Sequence, residues 1–336
     1  MDKTVIPLCQ STELSPVDLT EKIMKKYYVF CLAILWNQIL GANEAKDPYT
    51  WDIRERDIRI EMRYPNNKLK AIVLSYDDGF SEDLRLVQLL NKYGLRGTFH
   101  INSARLSTPN YMKKKDIKEH FGKHEISAHG ANHQGLLGLT PADRIYEFIE
   151  DRRALEALSG KLVRGMAYPF GSYDPDGLEL LESMGFEYAR TVEATHDFRI
   201  PANFLLWHPS AHKFGVEDDP ARDGATFQLV EDFLSRKHQA LLYLWGHSWE
   251  YQKKWDMVEE LFSLLSGQPD VVSLTHIDLV AYLKAFRQLR ISADKTIIHN
   301  PSATKLFLRV YDGRLTSEKA SYTIELEPAA TLRLEN

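Results

Sequence analysis

Four groups of residues in this chain have the types and spacing that hydrolytic chemistry needs. Asp77 and Asp78 are adjacent in LSYDDGFSED (residues 74–83), where an apolar run ends and a helical pattern begins. His129 and His133 form a His-x-x-x-His pair, Tyr168-Pro169-Phe170-Gly171 reads as a turn, and His247 closes the apolar run ALLYLWGH (240–247). Each signal is weak alone: Asp-Asp-Gly is usually a turn, a histidine pair is often a surface accident, and a lone histidine is usually buried against backbone. A carboxylate with two imidazoles, however, is a metal-ligand set that leaves positions open for water and substrate. If one aspartate ligates, its neighbour stays available to take a proton, and the cation offsets the repulsion between the two.

Positioning these groups requires strands whose ends converge. β-type runs alternate with amphipathic helical patterns: AIVLSY (71–76), GTFHIN (97–102), EISAHG (125–130), RGMAYPFG (164–171), YARTV (188–192), FLLWHPSA (204–211), ALLYLWGH and VVSLTH (271–276). Helix starts are marked by Ser81, by Thr140-Pro141 and by Asp174-Pro175, and stops by Gly94, Gly160 and Gly185. Further helices are expected near 224–238 and 252–266, with a last one running to about Arg290. Seven or eight strands, each followed by a connection or helix, predict a distorted (β/α) barrel over 46–290, with an open doubly wound sheet as the alternative. In a parallel barrel the reactive groups collect at the C-terminal strand ends, where all four groups fall. After Arg290 the texture changes to short alternating runs, so 291–336 reads as a small β-rich C-terminal appendage.

Composition excludes some partners and suggests a compartment. With 42 basic and 47 acidic residues the net charge is −5, which gives nucleic acid or an anionic membrane nothing to hold. The run Lys113-Lys114-Lys115 reads as a solvated helix face. Met24–Ala45 (MKKYYVFCLAILWNQILGANEA) has a dibasic start, an apolar stretch and small residues at its end, the pattern of a secretory signal peptide. Asn37 and Gln38 interrupt the apolar run short of the roughly 20 residues a membrane span needs. Residues 1–45 are therefore read as an upstream extension and signal, with Met24 a candidate start and cleavage after Ala42 or Ala45. A secreted or envelope location follows, with no stable membrane insertion after cleavage. Both cysteines, Cys9 and Cys31, precede the cut, so the mature chain would carry neither disulfide nor thiol nucleophile.

The motifs together resemble the polysaccharide deacetylases, the NodB-homology group of carbohydrate esterases, over about residues 68–290. The resemblance rests on Ser75-Tyr76-Asp77-Asp78-Gly79, on His129-Gly-Ala-Asn-His133, on Pro169-Phe170-Gly171 and on Leu244-Trp245-Gly246-His247. It implies that Asp77 is the catalytic base and that Asp78, His129 and His133 hold a divalent metal, zinc first among the transition metals. It also implies that the Phe170 backbone N–H stabilises the oxyanion and that His247 protonates the leaving group. Tyr173, Trp245 and Trp249 are candidates to stack on a sugar ring. The implied substrate is an acetylated carbohydrate, N- or O-linked. Hydrolysis of another amide, such as a formamido sugar or small cyclic amide, and a non-catalytic carbohydrate-binding role are the alternatives. Two departures stand out. Where the family places an arginine two residues before the proline, this chain has Ala167, and Arg190 is the expected substitute ahead of Arg164. The family's aspartate-tryptophan motif is not recognisable; Asp197, Glu250 and Asp256 are the candidates to orient His247.

Overall fold

Strand β3 (Lys70–Asp78) is the axis on which the rest is built, and its burial explains why: all but its last residue are fully enclosed. Such a run, apolar on both faces, belongs inside a parallel sheet covered by helices. The molecule is described here from a computed structural model, which covers residues 50–51, 58–214, 219–315 and 320–334. The expected signal segment Met24–Ala45, both cysteines and the candidate start lie outside these described residues.

Among the described residues two strands precede β3, β1 (Thr50–Trp51) and β2 (Ile58–Arg63). After it come α1 (Asp83–Lys92), β4 (Gly97–Ile101), α2 (Lys114–His120), β5 (Glu125–Ala128), α3 (Pro141–Ser159), β6 (Gly165–Ala167), α4 (Pro175–Ser183), β7 (Tyr188–Arg190), β8 (Ala211–His212), α5 (Pro220–Ser235), β9 (Ala240–His247), α6 (Trp255–Leu265), β10 (Val271–Leu274) and α7 (His276–Arg287). The parallel sheet runs β7-β6-β5-β4-β3-β9-β8, with β10 also on β3. β9 takes one edge of β3 along its length. On the other edge β10 pairs with Lys70–Val73 and β4 takes over from Leu74. The two ends of the sheet meet where Trp207 bridges Arg190, with Thr191 N–H to Trp207 O and Trp207 N–H to Ala189 O, both 2.9 Å. A distorted (β/α) barrel results, of seven strands with β10 beside them.

Alternation along β3 sorts its side chains: Ile72, Leu74 and Tyr76 pack under the helices, while Ala71 and Val73 join the second core with Trp207, Tyr243 and α7. Asp77 continues the second set and so points inward.

The caps form as expected at Thr140, which accepts from Asp143 N–H, and at Asp174, which accepts from Gly177 N–H. Ser81 is not the cap of α1. That helix begins at Asp83 after Glu82, and the Ser81 hydroxyl donates to Glu82 Oε2 at 3.0 Å instead of accepting from the first turn. The expected strand 204–211 shrinks to β8 and the bridge at Trp207, since Pro209 has no N–H to give a ladder.

Among the described residues five further strands follow α7: β11 (Arg290–Ile291), β12 (Ile297–His299), β13 (Leu306–Asp312), β14 (Ser321–Leu326) and β15 (Thr331–Arg333). They make an antiparallel β11-β12-β15 sheet and, with the two upstream strands, a β1-β2-β13-β14 sheet. Ile60 faces Val310 in the latter. Tyr282 of α7 ties this sheet to the barrel, donating to Arg63 O at 2.6 Å and accepting from Phe307 N–H at 2.9 Å. No helix among the described residues is long and apolar enough to cross a membrane.

Candidate active site

In a regular strand Asp77 and Asp78 would face opposite sides of the sheet. Asp78 instead takes φ +80°, and Gly79 follows at +81°. Aspartate tolerates this left-handed region better than most residues, and the twist brings the second carboxylate round to the strand end. Gly79 is required on two counts: its φ, and Ile101 Cγ2 only 2.9 Å from where a Cβ would stand. Asp77 is 2% exposed, whereas the Asp78 side chain keeps 13%.

The histidine pair is carried by the loop after β5, held by buried carboxylates. Asp151 accepts the backbone N–H groups of Ser103 and His129, each at 2.8 Å, and Glu147 accepts Asn132 N–H at 2.8 Å. Asn102 donates to the carbonyls of His129 and Gly130. His129 Nδ1 lies 2.9 Å from Ala167 O; a carbonyl only accepts, so Nδ1 carries the proton and Nε2 keeps its lone pair. Nε2 of His129 and of His133 lie 3.6 and 3.5 Å from the same oxygen, Asp78 Oδ1. Trp249 Nε1 donates to the other oxygen, Oδ2, at 3.0 Å, which turns Oδ1 toward the imidazoles. One carboxylate oxygen and two imidazole nitrogens thus lie within 4.8 Å of one another. The donor types, the tautomer of His129 and the convergence all fit a divalent cation.

Asp77 lies beside this cluster, 3.8 Å from His129 Nε2. Arg190, fully buried at the end of β7, donates from Nη2 to Asp77 Oδ2 and from Nη1 to Thr191 O at 2.9 Å. Burial alone would raise the Asp77 carboxyl, but Arg190 and the neighbouring histidines outweigh it and hold it below the usual carboxylate range. Arg164 lies elsewhere, paired with Glu187 at 2.6 Å.

His247 ends β9 opposite β3, in register with Asp77, and its Nε2 lies 3.9 Å from Asp78 Oδ2. Of the three acids considered as its partner, Glu250 reaches it: Oε1 lies 3.3 Å from His247 Nδ1, and Oε2 accepts the His247 backbone N–H at 2.9 Å. Asp197 pairs with Arg199, and Asp256 is exposed on the first turn of α6. Burial would lower His247, but Glu250 and the two aspartates outweigh it and raise its pKa. Glu250 is correspondingly pushed down to about 2, against its own burial, by His212 and His247.

The aromatic candidates divide. Phe170, at φ +59° in the Pro169–Gly171 turn, is 71% exposed and its ring lies 4.4 Å from that of His133. Trp249 is half-buried beside His247, and Tyr173 donates to Glu193 at 3.0 Å. Trp245 offers a sugar little surface: it is 6% exposed, with Arg190 over its ring and His212 stacked on it at 4.3 Å. His212, Asp151, Asn102 and Glu147 carry no motif signal in the sequence, because each reaches the site through a long-range contact.

Fold and cluster define a class: a distorted (β/α) barrel with an open His-His-Asp centre and an ionised carboxylate beside it. Within that class, residues 65–189 match the model of the polysaccharide deacetylase family. The matched segment ends before β8 and β9, so His212, His247 and Glu250 lie beyond it. Over 127 residues the chain is 24% identical to YxkH of Bacillus subtilis (strain 168), which carries the same family name. That match covers 37% of this chain and 45% of the relative, so the chain spans less than half of that protein's length. A crystal structure from Mycobacterium smegmatis, also bearing the family name, has a similar fold, with a TM-score of 0.51 at 16% identity, covering 66% of this chain and 92% of that one. The chitin deacetylase of Colletotrichum lindemuthianum gives 0.45 at 19% identity, over 60% of this chain and 84% of its own.

Proposed function

We propose that this protein is an exported, metal-dependent hydrolase that removes acetyl groups, N- or O-linked, from a carbohydrate. The observation that carries the reading is the convergence of Asp78, His129 and His133 beside an Asp77 kept ionised by a buried arginine. A cation held by those three residues, zinc first among the candidates, would supply Lewis acidity at the acetyl carbonyl and at the attacking water. Asp77 accepts the proton of that water, and Arg190 keeps its carboxylate charged and aimed. The Phe170 backbone N–H is assigned to the oxygen that gains charge in the tetrahedral intermediate. His247, oriented by Glu250, delivers a proton to the departing amine or alkoxide as the acyl bond breaks, leaving acetate and a deacetylated sugar. Exposed Phe170 and the rim aromatics Trp249 and Tyr173 offer apolar faces to a sugar ring. Export rests on the signal-like residues 24–45.

The test is acetate release by purified protein from a panel of N- and O-acetylated glycans. Release is expected, lost on chelation and restored by added zinc. A panel giving no acetate under any divalent metal would overturn the reading.

A further inference from the structure

Glu250 is gripped from a second side by a residue outside every motif. His212, on β8, lies with Nε2 2.9 Å from Glu250 Oε2, and its ring is stacked on Trp245. Its other nitrogen, Nδ1, lies 2.5 Å from Arg222 Nη2, on the first turn of α5. A guanidinium can only donate, so Nδ1 is the acceptor; in the neutral ring the proton must then sit on Nε2, which donates to the carboxylate. Four side chains are thus linked, Arg222 donating to His212 and His212 to Glu250, whose Oε1 faces His247 Nδ1 at 3.3 Å, joining α5, β8 and the end of β9.

We infer that His212, its tautomer set by Arg222, is a positioning residue that holds Glu250 and through it aims His247 at the leaving group. The inference rests on the deacetylase reading above. A buried carboxylate needs each of its oxygens satisfied, and Glu250 is 7% exposed. Without His212, Oε2 would keep only the His247 backbone N–H, and the carboxylate could swing away from Nδ1 of His247. Burial lowers the pKa of His212 in spite of Glu250, in keeping with a neutral ring. The ligand atoms of His212, His247 and Glu250 do lie within 4.8 Å of one another, as in a metal site. A protonated Nε2 and a guanidinium against Nδ1 leave His212 no lone pair to offer a cation.

Two substitutions separate positioning from packing. His212→Phe keeps a ring on Trp245 but has no donor, whereas His212→Gln places an N–H near the former Nε2. With zinc-loaded protein the Phe variant should lose about 10–100-fold in kcat, with KM and metal content unchanged. The Gln variant should recover most of that loss. Nitrogen-15 NMR of labelled histidines should show His212 protonated on Nε2 alone, and the His247 Nδ1–H signal should move in the Phe variant. Wild-type kcat in His212→Phe, a Gln variant as poor as Phe, a His212 protonated on Nδ1, or a second metal per chain lost with His212 would each overturn the inference. If the wild type releases no acetate from any glycan, the deacetylase reading fails, and the NMR alone decides whether His212 orients His247.

Discussion

At the scale of single residues the two adjacent aspartates have different surroundings, and those surroundings predict different failures. Asp78 shares one oxygen with two imidazoles, so Asp78→Asn should lose the metal. Asp77 is bound instead to Arg190, so Asp77→Asn should keep the metal and lose about 10²–10⁴-fold in turnover. Elemental analysis beside kinetics checks the division, and equal metal content in both variants would refute it. The Arg190–Asp77 pair makes a second prediction. Removing one partner of a buried ion pair strands the other, typically at about 3–5 kcal/mol. Arg190→Ala should therefore unfold at lower urea than the Arg190→Ala, Asp77→Asn double variant, in which no charge is stranded. A double variant less stable than the single would mean that the pair does not hold its place electrostatically.

At the scale of elements, strand ends and short loops set the geometry, and close approach between strands limits the residues allowed. Gly165 of β6 sits opposite Tyr188 of β7, and a Cβ there would lie 2.0 Å from that ring. The ring is not at liberty to move, since the Tyr188 hydroxyl donates to Glu125 at 2.7 Å and lies 2.9 Å from Ser127 Oγ. Gly165→Ala should cost roughly 1–3 kcal/mol, the usual penalty of overpacking, measurable by chemical denaturation. A neutral result would show that the two strands can part without loss. The apolar runs and the capping residues Thr140 and Asp174 were legible because each is encoded within one turn or one strand. Trp245 shows the opposite case: a tryptophan at a strand end looks like a sugar platform until Arg190 and His212 are seen covering it.

For the whole molecule, the buried acid Glu125 ties two halves of the barrel together, accepting from Thr98 Oγ1 at 2.9 Å, Tyr188 and Ile277 N–H at 2.9 Å. Burial outweighs these bonds and raises its pKa from 4.5 to about 7. A raised carboxyl keeps its proton in the folded state after the unfolded chain has released it. Its favourable contribution is therefore complete below about pH 4.5 and is lost as pH rises through about 7, on the order of 3 kcal/mol in all. Asp151, also raised to about 7 by burial, adds a slope of the same sign. Glu125→Gln should flatten the fall in stability over this window relative to wild type while leaving the Asp151 part. Urea midpoints measured at several pH values check this; parallel curves for the two proteins would count against it.

The sequence by itself determined the alternating strand and helix order, the residue types of the Asp-Asp, His-x-x-x-His and late-histidine groups, and their common position at strand ends. Those features are local, written in periodicity and in turn chemistry over a few residues. Which arginine reaches Asp77, which acid reaches His247, and that His212 reaches that acid were decided only by the tertiary structure. Asp77 and Arg190 are 113 residues apart, and His212 and Glu250 are 38 apart. Such pairs meet only after β7 and β9 are brought together through the Trp207 bridge and β8, a closure that no local pattern encodes. The left-handed turn at Asp78 belongs to the same category: the sequence supplies a residue that tolerates it, and packing against Ile101 and the histidine loop selects it.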